Sequence, residues 1–326
     1  MKSTLFKTFG ILLSFSMVVT LSMAVLAADP YPDKPVRLVV PYPPGGGTDI
    51  TARLIATKLS ESLGKHVVVD NRGGAGGIVG AEVVAKAAPD GYTLLIVAAD
   101  HTIQPALRKL PYDAVKSFTP IAKLASGPHA LTVQSSVPAN SVKELVALAK
   151  QKPGQLIFAN SGYGSSPHMS AELFKIVASI DFMIVPFKGL GPALIDLLGG
   201  QSHAMISSML APMPHIRSGK LRILGIAGVK RSAILPDVPT IAEAGVPGFN
   251  AGGWYGILAP AGTPAPIVDR LNNELKAIIA SDEVRKLFSN QGSGADYLGL
   301  TEFVTFLEEE MTRWASVVKK ANIKVE

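Results

Sequence analysis

Val36-Arg37-Leu38-Val39-Val40 runs straight into Pro41-Tyr42-Pro43-Pro44-Gly45-Gly46-Gly47-Thr48-Asp49, and this junction decides the fold. The β-branched run reads as a buried strand. Beyond the glycines, Ala52, Ile55, Ala56, Leu59 and Leu63 recur at helical spacing, so a helix opens near Thr48. Strand, glycine loop and helix form the repeating step of an α/β sheet, and the step recurs. His66 to Asp70 reads as a strand, Gly73-Gly74-Ala75-Gly76-Gly77 as a loop, Ile78 to Ala88 as a helix and Thr93 to Ala98 as a third strand. Further on, Ser141 and Glu144 have the spacing of a capping box, so a helix begins there. Strands are expected at Leu156 to Ala159, Phe182 to Val185, Ala204 to Ser207 and Leu221 to Ile226. The class that follows is α/β with largely parallel strands.

Composition narrows the function. The chain has 326 residues, 48% hydrophobic and 17% charged, enough to bury a sizeable core and too apolar for disorder. It contains no cysteine, which excludes disulfide frameworks, thiolate metal sites, cysteine nucleophiles and a lipoprotein anchor. Its six histidines include no pair four residues apart, so helical zinc pairs are absent and no metal or cofactor is expected. Lys2 and Lys7 precede an apolar run from Ile11 to Leu26, and small residues surround Ala27, the grammar of a cleavable secretory signal over residues 1–27. Without those two lysines, twenty-nine basic residues face twenty-five acidic ones, a net charge of +4 with no like-charge block. Nucleic acid is therefore not an expected partner.

The glycine loops carry the chemistry. Backbone N–H groups in such loops turn toward a ligand, and the helix N-terminus behind them favours negative charge. Neither loop is a nucleotide motif: no phosphate-loop lysine is present, and position 79 is valine where the dinucleotide pattern begun by Gly74 and Gly76 needs glycine. A carboxylate held by backbone donors fits better. A third loop, Asn160-Ser161-Gly162-Tyr163-Gly164-Ser165-Ser166, offers hydroxyls, an amide and a phenol. The sequence G-x-S-x-G occurs nowhere, but Ser165 or Ser166 with His168 leaves an exported serine hydrolase as the alternative.

The ordered set of segments resembles a known family. Pro41 to Asp49 and Asn71 to Gly77 are similar to the two ligand loops of the solute receptors of tripartite tricarboxylate transporters, the Bug-type periplasmic proteins. Pro111-Tyr112-Asp113, His168 to Phe174, Pro186 to Ala193, Asp196 to Gly200, Leu235 to Thr240 and Trp254-Tyr255-Gly256 follow in family order across essentially the whole chain after residue 27.

The resemblance implies a type II periplasmic binding protein of the Venus-flytrap kind: two Rossmann-like lobes with a ligand cleft between them. One lobe would combine residues 28–127 and 249–326 and the other residues 128–248, bending near Ser126-Gly127 and Pro247-Gly248. It also implies a monomeric periplasmic receptor, not an enzyme, that captures a small carboxylate and delivers it to integral-membrane permease subunits. Carried over by position, Gly45, Gly46, Gly47, Thr48, Gly74, Ala75, Gly76 and Gly77 would hold the carboxylate, with Tyr42 walling the cleft. Asp49 belongs to the same loop but reads better as a first-turn aspartate that orders it. Ser161, Tyr163, Ser165, Ser166, Lys188 and Ser207 would surround the variable end of the ligand, with Ser208 and Trp254 weaker candidates. The chain departs from the family pattern at Gly73, Gln104 and Ser202-His203.

N-terminal sequencing of the protein recovered from the secreting compartment should begin at Ala28. A chain that keeps residues 1–27 would overturn the cleavable-signal reading.

Overall fold

The computed structural model describes residues 31–232, 234–290, 292–321 and 323, so the expected signal segment lies outside it. β1 (Val36–Val40) is buried except at Arg37, whose Nε donates to Asp70 Oδ2 at 2.7 Å on β2 (Val67–Asn71). The helix expected after β1 is α1 (Gly47–Leu63), and Ala52, Ile55, Ala56, Leu59 and Leu63 form its buried stripe. It stops at Gly64, whose left-handed backbone returns its N–H to Ser60 O. A single 3₁₀ turn over Ala75–Gly77 leads into α2 (Ile78–Ala85), three residues shorter than the expected helix. β3 (Thr93–Ala98) then gives way to α3 (Asp100–Leu107).

The chain next enters β4 (Phe118–Gln134), a strand of 17 residues. The capping box behaves as expected at the start of α4 (Val142–Gln151): Ser141 Oγ accepts from Glu144 N at 3.2 Å. The Glu144 carboxylate reaches one residue further back than usual and accepts from Asn140 N at 2.7 Å. β5 (Ile157–Asn160), α5 (Ser166–Ala178), β6 (Met183–Pro186), α6 (Leu190–Leu198) and β7 (Ala204–Ser208) repeat the strand–loop–helix step. After α7 (Met213–Arg217) and β8 (Leu221–Ile226), the chain returns through β9 (Gly252–Pro260). It closes with α8 (Ala265–Ala280), α9 (Asp282–Asn290), β10 (Gly294–Leu298) and α10 (Leu300–Ala321).

The strands make one sheet in the order β2-β1-β3-β9-β4-β7-β5-β6, and β8 and β10 also pair β4. The expectation of largely parallel strands needs correction. Only β1 with β2, β1 with β3, β5 with β6 and β5 with β7 are parallel, and the five pairings that involve β4 or β9 are antiparallel. The helices next to β4 and β9 in the chain do not lead to strands that pair with them in the sheet, so no crossover forces a parallel return.

β4 divides the sheet. From Phe118 to Pro128 it pairs β9, and from His129 to Gln134 it pairs β7 and β8. The return passage crosses at the same level: Ala251 N donates to Ala227 O at 2.6 Å, whereas Gly252 pairs Pro128. The residues from Lys34 onward form one compact unit, and among its buried clusters two lie under the two half-sheets. One lies under the first half-sheet around Leu95, Leu258, Phe303 and Trp314, and the other under the second around Phe158, Phe174 and Phe249. In the second cluster, the Phe158 and Phe182 rings stack with centroids 3.8 Å apart.

Gly256, in the middle of β9, is required by packing. A Cβ there would lie 2.4 Å from Phe303 Cζ and 3.1 Å from Ala122 O. Gly256→Ala should therefore destabilise the protein by about 1–3 kcal/mol through overpacking. Thermal unfolding should show a loss of about 2–4 °C per kcal/mol, and an unchanged midpoint would contradict the packing argument.

Candidate binding site in the cleft

Both glycine loops sit at the carboxyl ends of parallel strands, where α/β sheets collect ligands, and the loops of the second half-sheet face them. The two sets nearly touch. A Cβ at Gly191 would lie 2.4 Å from Pro44 O, so only glycine lets these backbones meet. At Gly76, where φ is +66°, a Cβ would lie 3.1 Å from Tyr163 O and 2.4 Å from Gln104 Nε2. Side chains also bridge the halves. Asp100 Oδ1 accepts from Ser166 N at 2.6 Å, and Gln104 Nε2 donates to Tyr163 O at 3.1 Å. Gln104 thus stands at a contact between the half-sheets.

Two adjoining cavities lie between these loops and share Tyr42 and Ser161. The smaller, about 50 Å³, is lined by Gly46, Gly47 and Thr48 from the first loop and by Ser166 and Ser208 opposite. The larger, about 230 Å³, is lined by the whole turn from Gly74 to Gly77 and by Tyr163 and Lys188 opposite. Its volume admits several waters or one small organic acid. In that turn Gly74, Ala75, Gly76 and Gly77 all have positive φ, and Gly77 N donates to Gly74 O at 3.0 Å, so the backbone doubles back tightly at the cavity wall.

Not every residue expected in the site lines a cavity. Asp49 is 3% exposed and spent on its own loop: it accepts from Gly45 N at 3.0 Å, Arg53 Nε at 3.0 Å and Asn71 Nδ2 at 2.9 Å. Burial alone would raise its carboxyl, but these three partners outweigh it and hold the group below the usual carboxylate range. Gly45 supports that arrangement and lines neither cavity. Ser165 caps α5 by accepting from His168 N at 3.2 Å. Ser207 lies behind the wall, its hydroxyl donating to Ser208 O at 3.2 Å, and its neighbour Ser208 faces the smaller cavity.

The sequence reading missed several residues. Asp100 is buried in the wall of the smaller cavity and accepts from the Tyr42 hydroxyl at 2.5 Å as well as from Ser166 N. Burial pushes its carboxyl up to about 6 despite those donors, and burial together with Asp100 raises the Tyr42 phenol. Asp100 follows directly on the end of β3, so the strand-end rule applied to the first loops would have found it. His129 lines the same cavity, with Nδ1 2.8 Å from Ser170 Oγ. Arg108, just past α3, lines the larger cavity, and no local pattern separates it from Lys109.

These positions do not assemble a hydrolase. Gly164 N donates to His168 Nδ1 at 3.3 Å, and His168 Nε2 is 3.6 Å from Glu172 Oε1, so neither nitrogen serves Ser165 or Ser166. The Ser166 hydroxyl donates to Gly252 O at 3.1 Å, and its contact with His129 Nε2 is long, at 3.5 Å.

The sequence model of the tripartite tricarboxylate transporter family receptor matches residues 51–323. The chain belongs to this receptor family. Protein BugT of Bordetella pertussis (strain Tohama I) is 38% identical over 305 residues, covering 93% of this chain and 94% of BugT. Among solved structures, the periplasmic binding protein BugD is 34% identical with a TM-score of 0.87, over 91% of this chain and all of BugD. The R. palustris protein Rpa4515, solved with adipate, is 38% identical with a TM-score of 0.88, over 90% of this chain and 99% of that one. The family is one of transport receptors rather than enzymes, and this receptor has its mixed α/β periplasmic binding protein fold.

The buried histidines of the receptor set its acid stability. Burial pushes His101, His129 and His168 down to about 4 from an ordinary 6.5, with the Arg108 charge adding to the effect at His168. The unfolded chain takes up these protons first, so the stability they contribute is complete above about 6.5 and is lost as pH falls toward 4. By pH 5 each should have withdrawn about 2 kcal/mol. Asp100, raised from 3.8 to about 6, acts in the opposite sense: it destabilises the fold as pH rises from 4 to 6, so between pH 7 and 5 it returns only about 1.4 kcal/mol. Urea denaturation at pH 7 and pH 5 should give clearly lower stability at pH 5, and equal values would refute this balance.

Proposed function

We propose that this receptor works in the periplasm, where it captures a small carboxylate in the larger cavity and presents its closed form to the membrane-embedded permease subunits of its transporter. The observation that carries the reading is the turn from Gly74 to Gly77, a glycine-rich backbone with little side chain to keep a ligand away, which lines that cavity. Free backbone N–H groups of such a turn suit an oxyanion held by hydrogen bonds. The adipate bound by Rpa4515 supports the same ligand class.

In this reading, residues 28–127 with 252–326 form one lobe and residues 128–251 the other, the second boundary three residues later than the sequence suggested, because Phe249 and Ala251 belong to the second buried cluster. The lobes turn about the two neighbouring crossings of the chain, at Gly127-Pro128 and Ala251-Gly252. Closure brings the loops together, so the ligand gains partners from both lobes at once and shifts the population toward the closed form. The +4 charge after residue 27 favours encounter with anions. Residues 1–27 direct export, and the receptor acts as a monomer.

Thermal unfolding of residues 28–326 against aliphatic di- and tricarboxylates, acidic amino acids and aromatic acids tests this. A ligand at about one hundred times its dissociation constant adds about 2.7 kcal/mol, which for a chain of this size is a shift of several degrees. A shift with one class of acid is the expected result. If no acid shifts the midpoint and mass spectrometry of the denatured protein finds no co-purified acid, the carboxylate reading fails.

A further inference from the structure

Asp100 is a buried acid without a counter-ion in the wall of the smaller cavity. Among the described residues, three acidic residues are buried: Asp49, Asp100 and Glu310. Asp49 pairs with Arg53 and Glu310 with Arg313, but Asp100 enters no ion pair. Buried charges are ordinarily paired, so this one stands apart. Its oxygens accept only neutral donors, Oδ1 from Ser166 N across the cleft and Oδ2 from the Tyr42 hydroxyl.

The position couples Asp100 to closure. Ser166 belongs to the opposite half-sheet, so opening the cleft parts it from Asp100 and lets water reach the carboxylate, whereas closing desolvates it. A carboxylate ligand adds a like charge nearby. Both changes favour the protonated acid. The surrounding groups do not compete for that proton between pH 5 and 7. Burial raises the Tyr42 phenol and holds that of Tyr255, on β9, at about 12; it pushes His129 on β4, His168 on α5 and His101 on α3 down to about 4. Arg108 and Lys188 are the cations of the adjoining cavity. Asp100, which burial brings to about 6, is the group that changes charge in this range.

The hydrogen bonds can receive the proton without loss. Oδ1 keeps the Ser166 N–H, while Oδ2 carries the proton and donates it to Tyr42 Oη, 2.5 Å away. The phenol hydrogen must then turn elsewhere. Tyr42 lines both cavities, and its hydroxyl lies against the glycine turn, where a Cβ at Gly77 would be 2.9 Å from it.

We propose that closure over a carboxylate ligand takes up a proton at Asp100, and that the protonated acid turns the Tyr42 hydroxyl from Asp100 toward the ligand. This rests on the carboxylate reading above and deepens it. Because the closed, liganded form binds the proton more tightly, affinity rises as pH falls.

The test is calorimetric titration of residues 28–326 with succinate, glutarate, adipate and benzoate at pH 6, in buffers of different ionisation enthalpy, which counts the protons taken up. An acid that binds should bring about half a proton beyond its own titration. Asp100→Asn copies the protonated arrangement, its amide donating to Tyr42, and should abolish that excess. Relative to Asp100→Asn, in which the titration of the ligand itself is the same, the unsubstituted protein should gain about fourfold in affinity from pH 7.5 to pH 5.5. Tyr42→Phe should lose more affinity at pH 5.5 than at pH 7.5, and equal losses would overturn the turning of Tyr42. Thermal unfolding checks each variant. If Asp100→Asn does not fold, His129→Gln decides: excess uptake that persists supports Asp100, and uptake that disappears overturns it. Binding without excess uptake, or the same uptake in Asp100→Asn, would overturn the proposal and leave the carboxylate reading standing. If none of the four acids binds, that reading falls and the proposal falls with it.

Discussion

The site depends on one constraint: β4 stays paired along its length while it passes from one half-sheet to the other. Its main-chain bonds with β9 on one side and with β7 and β8 on the other hold the two halves at a fixed level, so their loops come out facing each other. Lys123 and Ser126, just ahead of the crossing, both bond the Asp296 carboxylate on β10, which ties that strand to β4 through side chains as well as main chain. Among the described residues, two neighbouring stretches of chain, at Gly127-Pro128 and Ala251-Gly252, pass between the halves at this level.

The local parts of this design were legible in the sequence and the long-range parts were not. β1, α1 and β3 follow from patterns spanning a few residues, and the glycines of both first loops announce the strand ends they occupy. β4 gave no such signal. Pro120, Gly127 and Pro128 interrupt its apolar run, and these residue types ordinarily mark where strands stop. They are tolerated because the β4–β9 ladder shifts register after Pro120 and the chain changes partners at Pro128.

The site divides in the same way. Gly74 to Gly77 could be placed from the loop alone, and Lys188 from its position after a strand. Arg108 becomes a site residue only in three dimensions, where the end of α3 meets Lys188, eighty residues later, at the same cavity. Ser207 and Ser208 show the limit from the other side: adjacent residues on a strand point to opposite faces, and a reading without the register cannot choose between them.

The order in which the chain supplies its strands has a kinetic consequence. β3 and the first half of β4 each need β9, which begins at Gly252, so the first half-sheet cannot be completed until about three-quarters of the polypeptide exists. Contacts of such long sequence separation form slowly, because the intervening loop must close before they are rewarded. A chain emerging from the ribosome N-terminus first therefore carries an unfinished first half-sheet through most of its synthesis, and β1 to β3 remain open to any factor that must act on unfolded polypeptide.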